Sequence, residues 1–211
     1  MNPSDIFHLN FLVGEHVTLA WSASTQRTKC YLPKVRAAKN DAVAKRKAAQ
    51  QEATRNRFRA DVLTFIRDRL LPSYVDGCAE DLHYENLALL IAYGTQKGST
   101  VLRDGIYRAG IAQKLLNLLL KYFWNLGLIP PPPHCPVDRI ILAKVPGTAR
   151  LNWTDIDTID QYRSVITALR TRADAEGETL AVWEATRFSR RKRIKFPLPP
   201  QMSSRWQVTQ D

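Results

Sequence analysis

The chain has 211 residues, of which 31 are lysine or arginine and 20 are acidic, giving a formal charge of +11 and a pI near 9.8. Hydrophobic residues make up 45 %, enough to bury a core and too many for a chain disordered throughout. No apolar run approaches the ~20 residues of a membrane span, no signal-peptide pattern opens the chain, and Cys30, Cys78 and Cys135 are odd in number and too widely spaced for a disulfide scaffold or a zinc site. The expectation is a soluble, cytoplasmic protein that binds a polyanion, without membrane, metal or cofactor; its oligomeric state is not written in the sequence.

In chain order, residues 5–20 read as a first helix ending near Trp21, followed by a polar turn over 22–28. From 34 to 71 the sequence is rich in Ala, Lys, Arg and Gln, contains no Gly and follows Pro33, a helix-start signal. Its first half is polar all round, a basic helical arm over 34–58. Phe58, Val62, Phe65 and Ile66 recur at helical spacing in its second half and predict docking on the body until Pro72 ends the helix. A further helix is expected over 79–93, broken by the Gly94–Gly98 segment, with Gly110 stopping whatever forms over 103–109. Residues 111–126 give the clearest helix, with eleven of sixteen positions apolar. The proline run 130–133 must be extended and stiff, and Pro136 opens a helix over 137–145. Thr158 and Gln161 form a capping box for a helix to about Ala173, and 180–186 is a last short helix. Strand signals are few. The fold class is all-α: one helical domain over 1–186 with a helix–hairpin–helix element, then a basic, Pro-rich tail over 187–211.

Positive charge is concentrated. Residues 34–69 hold eleven basic residues and four acids, and 187–195 hold six basic residues and no acid, so the remainder is slightly negative. Two basic segments flanking a near-neutral body suit a phosphate backbone, because each neutralised phosphate releases counterions. Lys45, Arg46, Lys47, Arg190 and Arg191 are the candidates for that contact. Within 111–126, Lys114, Asn117, Lys121 and Asn125 fall on one stripe about 80° wide at 100° per residue. Either this stripe faces water or it lines an internal polar cleft, where a partly desolvated lysine becomes a nucleophile.

The run Arg108-Ala109-Gly110-Ile111-Ala112-Gln113-Lys114, with Val137-Asp138 beyond the prolines, resembles the helix–hairpin–helix DNA glycosylase superfamily that includes endonuclease III and 8-oxoguanine glycosylase. The similarity covers 105–142. Gly110 to Lys114 looks like that family's Gly-rich hairpin and lysine, Val137-Asp138 like its V-D motif, and Asn117 matches an Asn of endonuclease III-like members. Ala112 stands where the second hairpin glycine is expected, the lysine-to-aspartate spacing is longer than usual, and no four-cysteine iron–sulfur cluster follows. The resemblance implies a DNA N-glycosylase that flips a damaged or modified base, such as a hypermodified base of phage DNA, out of the duplex. Asp138 would stabilise the positive sugar, and Lys114 would either form a Schiff base, adding lyase activity, or only contact phosphate. Arg108, Gly110, Ala112, Gln113 and Lys121 would hold DNA, and Asn117, Tyr122, Trp124, His134 and Trp153 are the stock for a base pocket. A non-catalytic DNA-binding protein using the hairpin as a phosphate clamp is a second reading. An RNA-binding module or ribonuclease using Arg103, His83 and His134 is a third.

Overall fold

The computed structural model describes residues 3–25, 30–36 and 41–187; the expected tail beyond Arg187, with Arg190 and Arg191, lies outside the described residues. The fold is all-α. Helix α4 (Ala109–Asn125) is its axis, and α1 (Pro3–Thr25), α3 (Glu80–Gly98), α6 (Ile159–Asp174) and a short 3-10 turn, Trp153–Asp155, pack around it. The composition of α4 dictates this placement. Leu115, Leu116, Leu119 and Leu120 point to different sides and are all buried, and a helix apolar on most faces is stable only when other elements cover it.

Helix α2 (Ala42–Phe65) begins later than the composition suggests. Asp41 caps it by accepting the Ala44 N–H at 2.9 Å, and residues 32–36 are extended instead of helical. That extended piece is tied down by α2: Gln51 donates to the Pro33 carbonyl and accepts from the Val35 N–H, both at 2.9 Å. The Arg55 guanidinium donates to the Leu32 carbonyl and lies over the Tyr31 ring. Phe58, Val62 and Ile66 enter the core as their spacing predicted. Pro72, which has no N–H and clashes with the preceding turn, unwinds the helix into a π-turn, Ile66–Leu70, and then a 3-10 turn, Leu71–Tyr74.

The break expected over Gly94–Gly98 comes only at its far end: Gly94 lies inside α3 and Gly98 is its last residue, and a side chain at either would meet Tyr107 and Leu102 respectively at 2.3 Å. These glycines permit close packing against the incoming 99–108 connection. Gly110 stops nothing; it is the second residue of α4. The helix expected over 137–145 is a single turn, α5 (Arg139–Leu142). The capping box at Thr158 forms as read, with Gln161 N–H donating to Thr158 Oγ1, and α7 (Leu180–Arg187) packs on α6. Among the described residues the nearest approach to a strand is one isolated bridge, Tyr31 to Leu102. All three cysteines are free thiols, and no described helix is long and apolar enough to cross a membrane.

Candidate active site

Lys114 and Asp138 meet. The Lys114 ammonium donates to Asp138 Oδ2 at 2.8 Å, with the lysine side chain 1 % exposed and the aspartate 13 %. The other oxygen, Oδ1, caps α5, accepting the Ile140 and Ile141 N–H groups at 2.9 and 3.2 Å. Three donors therefore converge on one carboxylate. The spacing of 24 residues is taken up by a climb and a return: the chain runs from Lys114 up α4 to Asn125, about 16 Å, and the stiff stretch through the prolines brings it back.

Gln113 fixes the register of that return. Its Oε1 accepts the Val137 N–H at 3.0 Å, and its Nε2 donates to the Val137 and Gly110 carbonyls at 2.9 Å each. One carboxamide thus grips both backbone groups of the residue before Asp138, while the residue after Gln113 supplies the ammonium. From Gln113 a buried polar chain continues outward. Asn117 Nδ2 donates to Gln113 Oε1, to the Cys135 carbonyl and to the Tyr162 hydroxyl at 3.3, 3.1 and 2.9 Å. The Tyr162 hydroxyl lies 3.0 Å from His134 Nδ1, and His134 Nε2 lies 3.0 Å from Glu80, which Arg170 grips with two hydrogen bonds of 2.7 Å. Glu80 fixes the His134 tautomer with the proton on Nε2. Burial holds the imidazole neutral, with its pKa lowered to about 3.

A second ion pair occupies the same stripe, Lys121 on α4 with Glu184 on α7. Burial raises the Glu184 pKa, opposed by the Lys121 and Lys114 ammoniums. Cys135 lies within the electrostatic reach of both pairs; burial pushes its thiol up, which disqualifies it as a nucleophile. Trp153 completes the site, its half-buried ring centred 5.9 Å from the Lys114 nitrogen.

Several residues expected to hold DNA are engaged within the protein instead. The segment read as an exposed phosphate-binding hairpin is buried helix. The Gly110 N–H donates to the Ile156 carbonyl at 2.7 Å and that of Ala109 to Asp157 at 3.4 Å. A side chain at Gly110 would strike the Trp153 carbonyl at 1.8 Å. These backbone donors are spent inside the protein, and Ala112 and Gln113 are fully buried. Arg108 is held by Asp104 at 2.8 Å and Asp157 at 3.4 Å. Lys121 serves Glu184. By contrast, Lys45, Arg46 and Lys47 stand exposed on α2.

Of the pocket candidates, Trp153, Asn117 and His134 belong to this region, the latter two as fully buried scaffold. Tyr122 instead packs against His16 of α1, and Trp124 is about 15 Å along α4 from Lys114. The histidines considered for ribonuclease chemistry, His83 and His134, are fully buried against each other with ring centroids 4.4 Å apart. They cannot reach RNA there. The sequence reading missed Glu184, Tyr162 and Glu80. The one signal for Glu184 was a lone acid in the apolar run 180–185. No cluster of three or more His, Cys, Asp or Glu among the described residues is placed to hold a metal ion. A hollow of about 500 Å³ lies between the 146–156 loop and α6, lined by Arg150, Asn152, Asp155, Gln161 and Ser164. Neither Lys114 nor Asp138 lines it. The chain matches no known family, no curated protein and no solved structure.

Proposed function

We propose that the protein is a DNA N-glycosylase acting through Lys114 and Asp138. The observation that supports this reading is the 2.8 Å contact between the two side chains that the resemblance singled out for chemistry, across 24 intervening positions. A buried lysine–aspartate pair is costly to desolvate and weak as a stabilising device, so its presence in a core otherwise rich in leucine asks for a purpose.

In this mechanism the C1′–N bond of an everted nucleotide breaks and its electron pair departs with the base. The Asp138 carboxylate, held in place by its three donors, faces the positive charge that grows on the sugar. Lys114 then either gives a proton to the departing base and adds through the freed amine to C1′, leading to a Schiff base, or stays an ammonium that orients Asp138 while water adds to C1′ and its released proton goes to the base. The sugar approaches from the Asp138 side, which is the more open of the two, and Trp153 forms the outer wall. Phosphate contacts fall to the exposed cations of α2, because the start of α4 is closed by the 156–157 carbonyls.

The test uses duplexes carrying uracil, hypoxanthine, 8-oxoguanine, 3-methyladenine or glucosylated hydroxymethylcytosine, scored for alkali-labile sites. It is paired with binding to a duplex containing a cationic pyrrolidine nucleotide, which imitates the positive sugar whatever the base. The reading expects excision from at least one duplex, abolished by Asp138→Asn, and tighter binding to pyrrolidine than to its neutral tetrahydrofuran counterpart. No excision together with equal binding of the two analogues refutes it. A second reading, a non-catalytic DNA-binding protein, is favoured by the 1 % exposure of Lys114: the pair would then only staple the 137–142 segment to α4. It predicts salt-dependent binding that Asp138→Asn leaves unchanged.

A further inference from the structure

We infer that the outward face of α1 is the contact surface of a reversible two-fold dimer of this chain, whatever chemistry the Lys114–Asp138 pair performs. On a helix packed along α4 the outward positions should be polar. In α1 they are not. Ala20 and Trp21 are buried, and Val13 and Val17 pack against the core, whereas Phe7 is 69 % exposed and Phe11 61 %. No other phenylalanine, tyrosine or tryptophan among the described residues is exposed. Phe7, Phe11, Gly14 and Thr18 fall within about 60° of one another at 100° per residue, and all four are exposed. They form one outward stripe.

Gly14 points the same way. Glycine is a poor helix former, and the other α-helices put theirs to use. A side chain at Gly94, Gly98 or Gly110 would meet a neighbouring group at 2.3, 2.3 or 1.8 Å. At Gly14 no described group lies within 4 Å of where a side chain would begin, so no described contact within the single chain asks for a glycine. Bare backbone on an outward helix face suits the close approach of a side chain from another molecule. Thr18 extends the low ground. Its hydroxyl donates to the Gly14 carbonyl at 3.0 Å, so covering it strands no donor.

The order of large and small along the stripe names the occupant, a second copy of the same helix. Two rings come first and two small residues follow. Such a stripe complements itself when two copies run antiparallel. A two-fold axis between Leu12 and Val13 sets Phe7 level with Thr18 of the second copy and Phe11 level with its Gly14. Each ring then meets low ground, and the contact closes on itself as a dimer. Charge permits the pairing. Residues 3–25 hold no lysine or arginine, in a chain of formal charge +11. The face therefore escapes repulsion between copies, and it lacks the cations by which a helix settles on an anionic membrane or on nucleic acid. Two rings so exposed offer on the order of 250 Å² per copy. With the small residues between them, the dimer would bury roughly 800 Å² in total, at the low end for protein interfaces. That size suits association at about 10–100 µM.

Sedimentation velocity on the full chain, from about 5 to about 500 µM, tests this. The weight-average mass should rise from 24.0 kDa toward twice that value. Gly14→Phe fills the gap that Phe11 of the second copy enters, and Phe11→Gly removes the ring; each should weaken association at least about tenfold. The exchange Phe11→Gly/Gly14→Phe restores a ring opposite a glycine, and should return to within about threefold of wild type. A merely sticky surface behaves differently, since Gly14→Phe would then associate more tightly. Helicity and urea midpoints report that each variant folds, and a side chain at position 14 has room in the single chain. A wild-type mass fixed at 24.0 kDa up to 500 µM overturns the inference, and co-flotation with phosphatidylcholine vesicles would then assign the face to lipid. A Gly14→Phe variant that associates as tightly as wild type, or an exchange variant that does not recover, overturns it equally.

Discussion

Truncating Asp138 probes the site without knowledge of the substrate. Asp138→Ala removes the carboxylate 2.8 Å from an ammonium that is 1 % exposed, and breaking a buried pair from one side costs about 3–5 kcal/mol. It also strips the cap from α5, where Oδ1 accepts two backbone N–H groups, a further loss of about 1 kcal/mol. The sum, about 4–6 kcal/mol, is a large share of the 5–15 kcal/mol that holds an ordinary domain together. Asp138→Asn keeps an acceptor for the cap and loses the charge, so it should cost about 3 kcal/mol. Lys114→Met leaves a capped carboxylate that is 13 % exposed and should cost less than either. The double variant Lys114→Met/Asp138→Asn should be more stable than the two single losses added together, by at least about 2 kcal/mol. Urea unfolding at pH 7, with midpoints compared at a common slope, measures all four. An Asp138→Ala loss under about 1 kcal/mol, or strict additivity in the double variant, would refute the claim that these charges depend on each other inside the core.

Gln113→Leu should cost about 2–5 kcal/mol in the same urea assay, because it strands the buried Val137 N–H and carbonyl; with duplex substrate it should also lower the excision rate by loosening Asp138. Gly110→Ala should cost at least about 2 kcal/mol, since its new methyl meets a backbone carbonyl at 1.8 Å; calorimetry would show it as a fall in Tm. His134 has a pKa lowered to about 3 in the fold, against about 6.5 when unfolded. Its neutral burial therefore costs nothing above pH 6.5 and erodes stability by up to about 1.4 kcal/mol per pH unit between 6.5 and 3. Urea melts at pH 7 and 4.5 should show a smaller acid loss in His134→Gln than in wild type. Replacing Lys45, Arg46 and Lys47 together with glutamine should reduce the slope of log K against log salt for duplex DNA by about two to three, with fluorescence anisotropy as the readout and no change in Tm.

The all-α class, the burial of 111–120 on all sides and the capping box at Thr158 were legible in the sequence because each rests on local pattern: apolar spacing, or a side chain bonding its own turn. The pairing of Lys114 with Asp138 was legible only through resemblance, since no periodicity spans 24 residues and a proline run. What Gly94, Gly98 and Gly110 do was not legible at all. A glycine that breaks a helix and one that lets a neighbour approach it read alike, and only the positions of Tyr107, Leu102 and the Trp153 carbonyl decide between them. The same holds for the stripe on α4. Composition left it facing either water or a cleft; the partners that turn Lys114, Asn117 and Lys121 inward, Asp138, Tyr162 and Glu184, come from segments whose approach is fixed by packing alone, while Asn125 stays exposed. Tertiary structure also closed the expected phosphate clamp, because the N–H groups at the start of α4 found the carbonyls of Ile156 and Asp157 first. A buried donor must be satisfied by whatever the fold brings to it, and that is a property of the assembled chain, not of the residues that carry the donor.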